Sequence, residues 1–203
     1  MLQTELIDFN KFYEDIAGLQ ASLSAAEQER AQRFVREQDR RAYVISHAEL
    51  RRVLSETLNQ PASELEILIG EHGKPYINNC NLQFNLSHSG CYALIALSDV
   101  GAVGVDIEQH DTRSDYVAIA KRFFTKDEFL YIENQSDQRL AFYVIWTYKE
   151  AYVKAIGRGI AYGLDSFSVV SPQLKILDCV NGWSINSIKV PNGYSAAISL
   201  GVK

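Results

Sequence analysis

The spacing of hydrophobic residues predicts a chain that alternates between helices and short strands. Apolar residues recur at helical spacing over about residues 12–19, 25–36, 38–58, 115–124 and 136–156. Two-residue alternation or short apolar runs predict strands at residues 6–9, 65–69, 82–86, 92–97, 103–108, 167–170, 174–177, 183–190 and 194–200. Long helices combined with several short, mostly antiparallel strands are typical of an α+β protein.

Local signals mark the ends of several of these helices. Ser24 with Glu27, and Thr125 with Glu128, have the spacing of a capping box, in which each side chain bonds the backbone of the other residue. Gly157 follows the long helix of residues 136–156 and is a good residue to end it. The capping box already gives Glu128 a structural role.

A faint internal repeat divides the chain at its middle. Residues 90–96 resemble residues 193–198 in outline, and Tyr92 and Tyr194 occupy corresponding places, half a chain apart. Each half also has one long helix and several strands. We therefore predict a pseudo-twofold duplication of two similar α+β halves, residues 1–101 and 102–203, each with a long helix packed on a mostly antiparallel sheet. The junction between such halves is a common place for a ligand.

Composition narrows the function classes without selecting one. The net charge of −5 gives no general attraction to nucleic acid or to an anionic membrane. No apolar run reaches the length of a membrane span, and the first residues lack the pattern of a signal peptide. The three cysteines are odd in number and have no metal-ligand spacing, so we expect reduced thiols in a cytoplasmic protein.

Two carboxylates on one strand are the first candidate for chemistry. In residues 103–108 the side chains of Asp106 and Glu108 point to the same face, about 7 Å apart at the backbone. A hard divalent cation, magnesium especially, relieves their repulsion through oxygen ligands. A solvated strand end gives the same pattern. Glu150 and Lys154, one turn apart on the long helix, either form an ordinary ion pair or add a third carboxylate and a phosphate-binding cation.

Several basic and polar residues are candidates for phosphate contacts. Arg40 and Arg41 begin a helix, and Lys74 lies in a glycine- and proline-bounded turn. Ser87 and His88 follow a predicted strand, where hydroxyls, an imidazole and backbone donors form a fair anion nest. Each also has a plain structural interpretation. A hydrolytic Ser87–His88 pair is disfavoured because adjacent residues have poor geometry for proton abstraction.

Taken together, the motifs resemble those of the 4′-phosphopantetheinyl transferases, in the surfactin-type, pseudo-dimeric branch. In chain order they are Gly73-Lys74-Pro75, Phe84-Asn85-Leu86-Ser87-His88-Ser89, Gly104-Val105-Asp106-Ile107-Glu108, Phe123-Phe124-Thr125-Lys126-Asp127-Glu128 and Trp146-Thr147-Tyr148-Lys149-Glu150-Ala151-Tyr152-Val153-Lys154. Each motif alone is weak, whereas five in the family's order are specific. The resemblance weakens before residue 30 and after residue 170.

The resemblance implies a magnesium-dependent enzyme that transfers the phosphopantetheine arm of coenzyme A to a serine of an apo acyl or peptidyl carrier protein and releases adenosine 3′,5′-bisphosphate. It implies a monomer, because one chain supplies both halves. By motif, the implied magnesium ligands are Asp106, Glu108 and Glu150. The implied coenzyme A contacts are Lys74, Ser87, His88 and Lys154, and the implied catalytic residues are Glu150, Lys154 and Glu128.

Two points of the resemblance are less direct. The family usually has a basic residue for the 3′-phosphate where this chain has Ala42, so Arg41 or Arg40 is expected to take its place. Phe123 and Phe124 are candidates for an apolar surface that docks the carrier, with core packing as the alternative. Two other functions remain open here: a catalytically silent coenzyme A or nucleotide-binding module, and a metal-dependent pyrophosphate hydrolase.

Overall fold

The computed structural model describes residues 1–12, 16–159 and 162–201 and has an α+β architecture. Its helices are α1 Ile16–Ala21, α2 Ala25–Gln32, α3 Glu37–Leu58, α4 Tyr116–Phe123, α5 Lys126–Glu133 and α6 Gln138–Ile156. Its strands are β1 Leu2–Asp8, β2 Ile67–Ile69, β3 Pro75–Ile77, β4 Gln83–Ser89, β5 Tyr92–Ser98, β6 Val103–Gln109, β7 Cys179–Val180, β8 Trp183–Ser187 and β9 Tyr194–Gly201. Within these described residues, no helix combines the length and apolar character that a membrane crossing requires.

Two antiparallel sheets carry the two long helices. The first sheet has the strand order β1-β5-β4 and packs with α3, whose Ile45, Val53 and Leu54 join the core of this half. The second sheet has the order β6-β9-β8-β7 and packs with α6. Strands β2 and β3 form a separate hairpin. Each long helix therefore buries one apolar face against its own sheet, as its helical periodicity predicts.

The order of strands repeats between the halves and confirms the predicted duplication. In the first sheet, β5 lies between β1, which precedes the helices of that half, and β4, which follows them. In the second sheet, β9 lies in the same way between β6 and β8. The register also corresponds, since Glu5 of β1 lies opposite Ile95 and Asp106 of β6 lies opposite Ala197. The rings of Tyr92 and Tyr194 meet edge to face, with centroids 5.0 Å apart. The boundary at residues 101 and 102 stays a prediction.

Side chains, rather than ladder hydrogen bonds, join β4 of the first half to β6 of the second. Asn85 Oδ1 accepts a hydrogen bond from the Val105 amide at 2.9 Å, and Ser89 Oγ accepts one from the Gln109 amide at 3.0 Å. An apolar cluster that includes Leu94, Val105 and Ile107 lies alongside. The two halves therefore share a core, and their junction is built from polar side chains of β4.

The sequence-based elements needed several corrections. The segments 167–170 and 174–177 form only an isolated bridge between Val170 and Ile176, because loops interrupt both runs. The segment 70–76, predicted as a turn, contributes its last residues to β3, and β4 continues to Ser89, through the predicted Ser87–Gly90 turn. The helix predicted at 12–19 is α1 plus a 3₁₀ turn at Phe9–Phe12, and residues 13–15 lie outside the described residues.

Gly104 sets how closely α6 approaches β6. A Cβ atom at this position would overlap the carbonyl oxygen of Ala151 and the backbone nitrogen of Ala155. Both obstacles are helix backbone and cannot move aside, so the strand and helix would have to separate. The lack of a side chain at Gly104, and small residues on α6, therefore allow the close crossing.

We expect Gly104→Ala to lower the free energy of unfolding by at least the roughly 1–3 kcal/mol typical of overpacked cores. Urea denaturation followed by circular dichroism measures this change. Gly193→Ala is a comparison that carries strain only from its positive φ of 84°, since a Cβ atom there would have no other atom within 4 Å. Equal stability of Gly104→Ala and the unsubstituted protein would contradict the role of the close crossing.

Candidate active site between the two halves

Asp106 is a carboxylate buried at the junction of the halves, with only 2% of its surface exposed. Its Oδ1 atom accepts hydrogen bonds from Lys154 Nζ at 2.6 Å and from Ser87 Oγ at 2.8 Å. Lys154 Nζ also donates to Ser87 Oγ at 3.0 Å. Strand β6, strand β4 and helix α6 thus bring three predicted site residues into direct contact, although they are far apart in the chain.

The serines of β4 hold the carboxylates of β6 in place. Ser87 Oγ donates to Asp106, and Ser89 Oγ donates to Glu108 Oε2 at 2.8 Å. The predicted anion nest at Ser87–Gly90 is therefore not formed as a turn; instead, alternate β4 side chains face β6. Ser87 reaches the site as a partner of Asp106, and its contact with coenzyme A stays a prediction.

Burial raises the pKa of all three predicted magnesium ligands. Burial, followed by the charge of Asp106, raises the pKa of Glu108 to about 7. Burial and then Asp106 also raise the pKa of Glu150. Burial raises the pKa of Asp106 itself, and Lys154 and Ser87 offset this in part. A concentration of partly desolvated carboxylates is unfavourable by itself and is relieved by a bound cation.

The site fits a magnesium ion whose remaining ligands come from elsewhere. Asp106 Oδ2 is buried and has no hydrogen-bond partner, which is costly for a carboxylate oxygen. Among the described residues, no group of three or more histidine, cysteine or acidic side chains is placed so that it could hold a metal ion together. Magnesium characteristically uses one or two carboxylates together with water and substrate phosphates. One or two of the carboxylates Asp106, Glu108 and Glu150 would satisfy that preference, and Asp106 is the one with a buried, unpartnered oxygen.

Lys74 lines a cavity of about 190 Å³ together with Lys154, but its ammonium group is held by backbone of the second half. Its Nζ donates to the carbonyl oxygens of Val103 at 3.1 Å and Ala155 at 2.8 Å. Burial lowers its pKa to about 8. The turn thus delivers Lys74 to the junction of the halves, where two protein carbonyls already use its donors.

The geometry does not favour the catalytic role of Glu128, which stays a prediction. Its side chain is fully buried, and Oε1 pairs with Lys149 Nζ at 2.7 Å and accepts the Val169 amide at 2.8 Å. Oε2 accepts the Thr125 amide at 2.8 Å in the predicted capping box. A general base must reach the proton that it removes. Glu128 is enclosed and is structural in this arrangement.

The two arginines predicted for the 3′-phosphate lie on different surfaces. Arg40 forms a two-point contact with Glu37, with both nitrogen–oxygen distances 2.7 Å, and a third bond with Gln20. Arg41 lines a cavity of about 410 Å³ together with Gly90 and Cys91. Because Glu37 already satisfies the fork of Arg40, the geometry does not favour Arg40 as the phosphate contact.

A cavity of about 320 Å³ beside α3 contains basic residues that the sequence analysis missed. It is lined by Arg30 and His47, by Tyr43, and by Gly73 of the turn that carries Lys74. His88 interacts with His47 of this cavity, and loss of surrounding water, followed by the electrostatic influence of His47 and Lys154, lowers the pKa of the His88 imidazole. Helical spacing places Tyr43 and His47 on one face, which was the only signal of this cavity in the sequence.

A second cavity, of about 330 Å³, borders Glu108. Ser89 and Glu108 form one end of it, and Phe142 and Trp146 contribute apolar walls. Phe124 stacks on Phe142 with centroids 5.3 Å apart and is part of the core, whereas Phe123 remains 36% exposed. Of the two phenylalanines proposed as a docking surface, the core alternative therefore applies to Phe124.

Both halves of the chain are similar in sequence to known proteins. Residues 102–199 match the model of the 4′-phosphopantetheinyl transferase superfamily, and residues 10–99 match the model of the 4′-phosphopantetheinyl transferase N-terminal region. The chain is 32% identical to 4′-phosphopantetheinyl transferase Sfp of Bacillus subtilis, over 87% of this chain and 81% of Sfp. It is 36% identical to 4′-phosphopantetheinyl transferase HetI of Nostoc, over 90% of this chain and 80% of HetI.

A third relative is a Synechocystis protein provisionally named a 4′-phosphopantetheinyl transferase. The two are 37% identical over 74% of this chain. The matched segment spans 63% of that relative's length, less than two thirds.

Proposed function

The chain belongs to the 4′-phosphopantetheinyl transferases of the Sfp type, and on this premise we propose that it transfers the phosphopantetheine arm of coenzyme A to a serine of an apo acyl or peptidyl carrier protein. The proposed reaction depends on magnesium and releases adenosine 3′,5′-bisphosphate. The carrier's serine oxygen forms a bond to the phosphorus that bears the pantetheine arm, and the bond from that phosphorus to the bridging oxygen breaks.

The observation that carries this proposal is the surroundings of Asp106. A buried carboxylate shares one oxygen with Lys154 and Ser87, while its other buried oxygen has no partner. This arrangement supports a site in which Asp106, Glu108 and Glu150 hold magnesium and Lys154 faces a phosphate. A bound magnesium supplies a Lewis acid and a template for the pyrophosphate oxygens.

The lining of the two cavities supports an orientation for coenzyme A. The cavity beside Arg30 and His47 offers cations for the phosphates of the nucleotide. The cavity beside Glu108 combines polar groups with the apolar walls of Phe142 and Trp146, which suits the alternating amides and methylenes of pantetheine. The scissile pyrophosphate then lies between them, at the carboxylates.

Lys154 is placed to neutralise charge during transfer. Its side chain is 28% exposed, and its ammonium is held at Asp106 and Ser87 rather than free in solvent. A preorganised cation of this kind stabilises negative charge that develops on phosphoryl oxygens without reorganisation during the reaction. The leaving bisphosphate and the transferred phosphoryl group are the places where that charge develops.

Glu150 fits the role of proton acceptor better than Glu128 does. Glu150 is only half-buried and lies one turn from Lys154 on α6, so a substrate at the proposed site can reach its carboxylate. Glu128 is enclosed by Lys149 and two backbone amides. Of these two carboxylates, only Glu150 lies near the reacting groups.

Intact mass spectrometry of an apo carrier protein tests the proposed function. After incubation with coenzyme A, magnesium and this protein, the carrier should gain the mass of one phosphopantetheine. The gain should disappear when magnesium is chelated or when the carrier's serine is replaced by alanine. Coenzyme A binding without transfer to several carriers would instead indicate a silent binding module, and bisphosphate released without a carrier would indicate a hydrolase.

The raised pKa of Glu108 predicts pH-dependent magnesium binding. A metal ligand must be deprotonated, and with a pKa of about 7 most Glu108 is charged at pH 8 but protonated at pH 6. We expect the apparent magnesium affinity, measured by titration calorimetry with coenzyme A present, to fall about tenfold from pH 8 to pH 6. The Glu108→Gln variant is the control, because any pH dependence of magnesium affinity that remains in it comes from other groups, such as the phosphates of coenzyme A. An affinity that is the same at pH 6 and pH 8 in the unsubstituted protein would contradict the prediction.

The raised pKa of Glu108 also makes the stability of the folded protein depend on pH, and this effect disfavours the folded state as the pH rises. The folded state releases the Glu108 proton near pH 7, whereas the unfolded chain releases it near 4.5. Between these values the folded state binds more protons, so this group's contribution to the free energy of unfolding falls as the pH rises. The carboxylate is therefore retained at a cost in stability at neutral pH, which fits a functional role.

We further propose that the protein acts as a monomer in the cytoplasm. One chain contributes both halves, and the proposed site lies between them. Cys80, Cys91 and Cys179 are all free thiols, which accords with a reducing compartment.

A further inference from the structure

The ammonium group of Lys74 connects the two halves at the edge of the proposed active site. Lys74 belongs to the hairpin turn between β2 and β3 in the first half. Its two acceptors, the carbonyl oxygens of Val103 and Ala155, belong to the second half. One side chain therefore ties the first residue of β6 to the last turn of α6.

Both acceptors are suited to a buried cation. Ala155 lies in the last turn of α6, where carbonyl groups lack partners within the helix and the helix dipole favours positive charge. The Lys74 side chain also packs beside Gly157, which ends the helix, since a Cβ atom there would lie 3.3 Å from Lys74 Cδ. These contacts replace the water that the ammonium loses on burial.

The position of this connection matters more than its strength. Val103 precedes Gly104, where β6 and α6 are too close for a Cβ atom on the strand. Ala155 follows Lys154, whose Nζ lies 2.6 Å from Asp106 Oδ1. The two hydrogen bonds of Lys74 therefore hold β6 at the residue before Gly104 and α6 at the residue after Lys154.

We propose that Lys74 is a positioning residue for the transfer reaction, which holds α6 against β6 so that Lys154 faces Asp106, and that it does not serve mainly as a phosphate contact. Two of the three Lys74 donors are used by backbone carbonyls that β6 and α6 hold in fixed positions, whereas those of Lys154 are used by the side chains of Asp106 and Ser87 in the proposed site. This inference rests on the proposed transferase function.

Steady-state kinetics of Lys74→Met separates positioning from substrate binding. Methionine keeps the apolar stem and removes the charge and donors. We expect kcat for carrier modification to fall about tenfold or more, with KM for coenzyme A within about twofold of the unsubstituted value, because the reacting groups and not the binding contacts are displaced. Lys175→Met, at an exposed lysine, is the matched control and should leave both constants unchanged. A large rise in KM with kcat retained would overturn the proposal.

A double-mutant cycle tests whether Lys74 acts through Lys154. If Lys74 only positions Lys154, Lys74→Met should lower kcat less than twofold in a Lys154→Ala background. The same loss in both backgrounds would show that Lys74 acts independently of Lys154 and would overturn the proposal. The carrier mass assay is sensitive enough for the slow variants when it is run with long incubations.

A measurement on the unsubstituted protein covers the case in which Lys74→Met fails to fold. In protein with ¹⁵N-labelled lysine, the Lys74 ammonium signal is identified by its loss in Lys74→Arg. We expect added coenzyme A to leave this signal in place, and a large shift would overturn the proposal.

If the unsubstituted protein transfers nothing, the proposed function fails and this role with it. If it transfers and only KM changes in Lys74→Met, this role alone fails.

Discussion

Replacing Asp106 by asparagine is expected to lower carrier phosphopantetheinylation by about 1,000-fold or more. The substitution keeps the shape of the side chain and removes the charge that Lys154 and the proposed magnesium share. A metal that polarises phosphoryl oxygens is worth several kcal/mol of transition-state stabilisation, and each factor of ten in rate corresponds to about 1.4 kcal/mol. The loss should appear in kcat/KM measured by carrier mass.

The fold of Asp106→Asn should remain intact. Asparagine still accepts a hydrogen bond from Ser87, and the variant removes a desolvated charge whose second oxygen has no partner. We therefore expect its free energy of unfolding, measured with urea, to be no lower than that of the unsubstituted protein. Asp178→Asn, at an exposed position, is the control for activity. Turnover within tenfold of normal in Asp106→Asn would exclude the metal role.

Replacing Lys149 by methionine is expected to have the largest effect on stability. Lys149 is fully buried, and its Nζ donates to Glu128 and to the carbonyl oxygens of Leu164 and Phe167 at 2.7 Å or less. Its removal leaves Glu128 as an uncompensated buried charge, which typically costs about 3–5 kcal/mol. Urea denaturation should detect this loss directly.

Glu128→Gln, alone and combined with Lys149→Met, distinguishes a structural role from a catalytic one. The double variant has no buried charge, so it should recover part of the stability lost in Lys149→Met. The rate per folded molecule of Glu128→Gln should stay within about threefold of normal. A general base contributes about 100-fold or more. A loss of that size in a folded variant would restore Glu128 to the reaction.

The elements that the sequence predicted well are those with a strong local cause. The capping box of Thr125 and Glu128 forms as its spacing indicates. Helix α3 follows its apolar periodicity and ends at Asn59, and α6 ends at Gly157, both with left-handed backbone. Weak local signals failed: the runs at 167–170 and 174–177 contain strand-forming residues but gain only one bridge, because neighbouring strands are not available along their length.

The corresponding positions of the two halves show why the site cannot be read from residue types alone. In the first half, Glu5 takes the place of Asp106 in the strand register, and Arg52 of α3 pairs with it. Arg52 also binds Glu49 and Glu56, so Glu5 shares one guanidinium with two other glutamates. An acidic strand residue paired with a basic helix residue occurs in both halves, and only its surroundings differ.

The sequence by itself determined the α+β class, the duplication and the carboxylates Asp106, Glu108 and Glu150, because periodicity and motif order are properties of the chain. Only the tertiary structure decided what each charged group does. It enclosed Glu128 with Lys149, assigned Lys74 to two carbonyls and left one oxygen of Asp106 without a partner. Burial and distant partners set the charge and reach of a side chain, and both depend on residues that lie far away in the sequence.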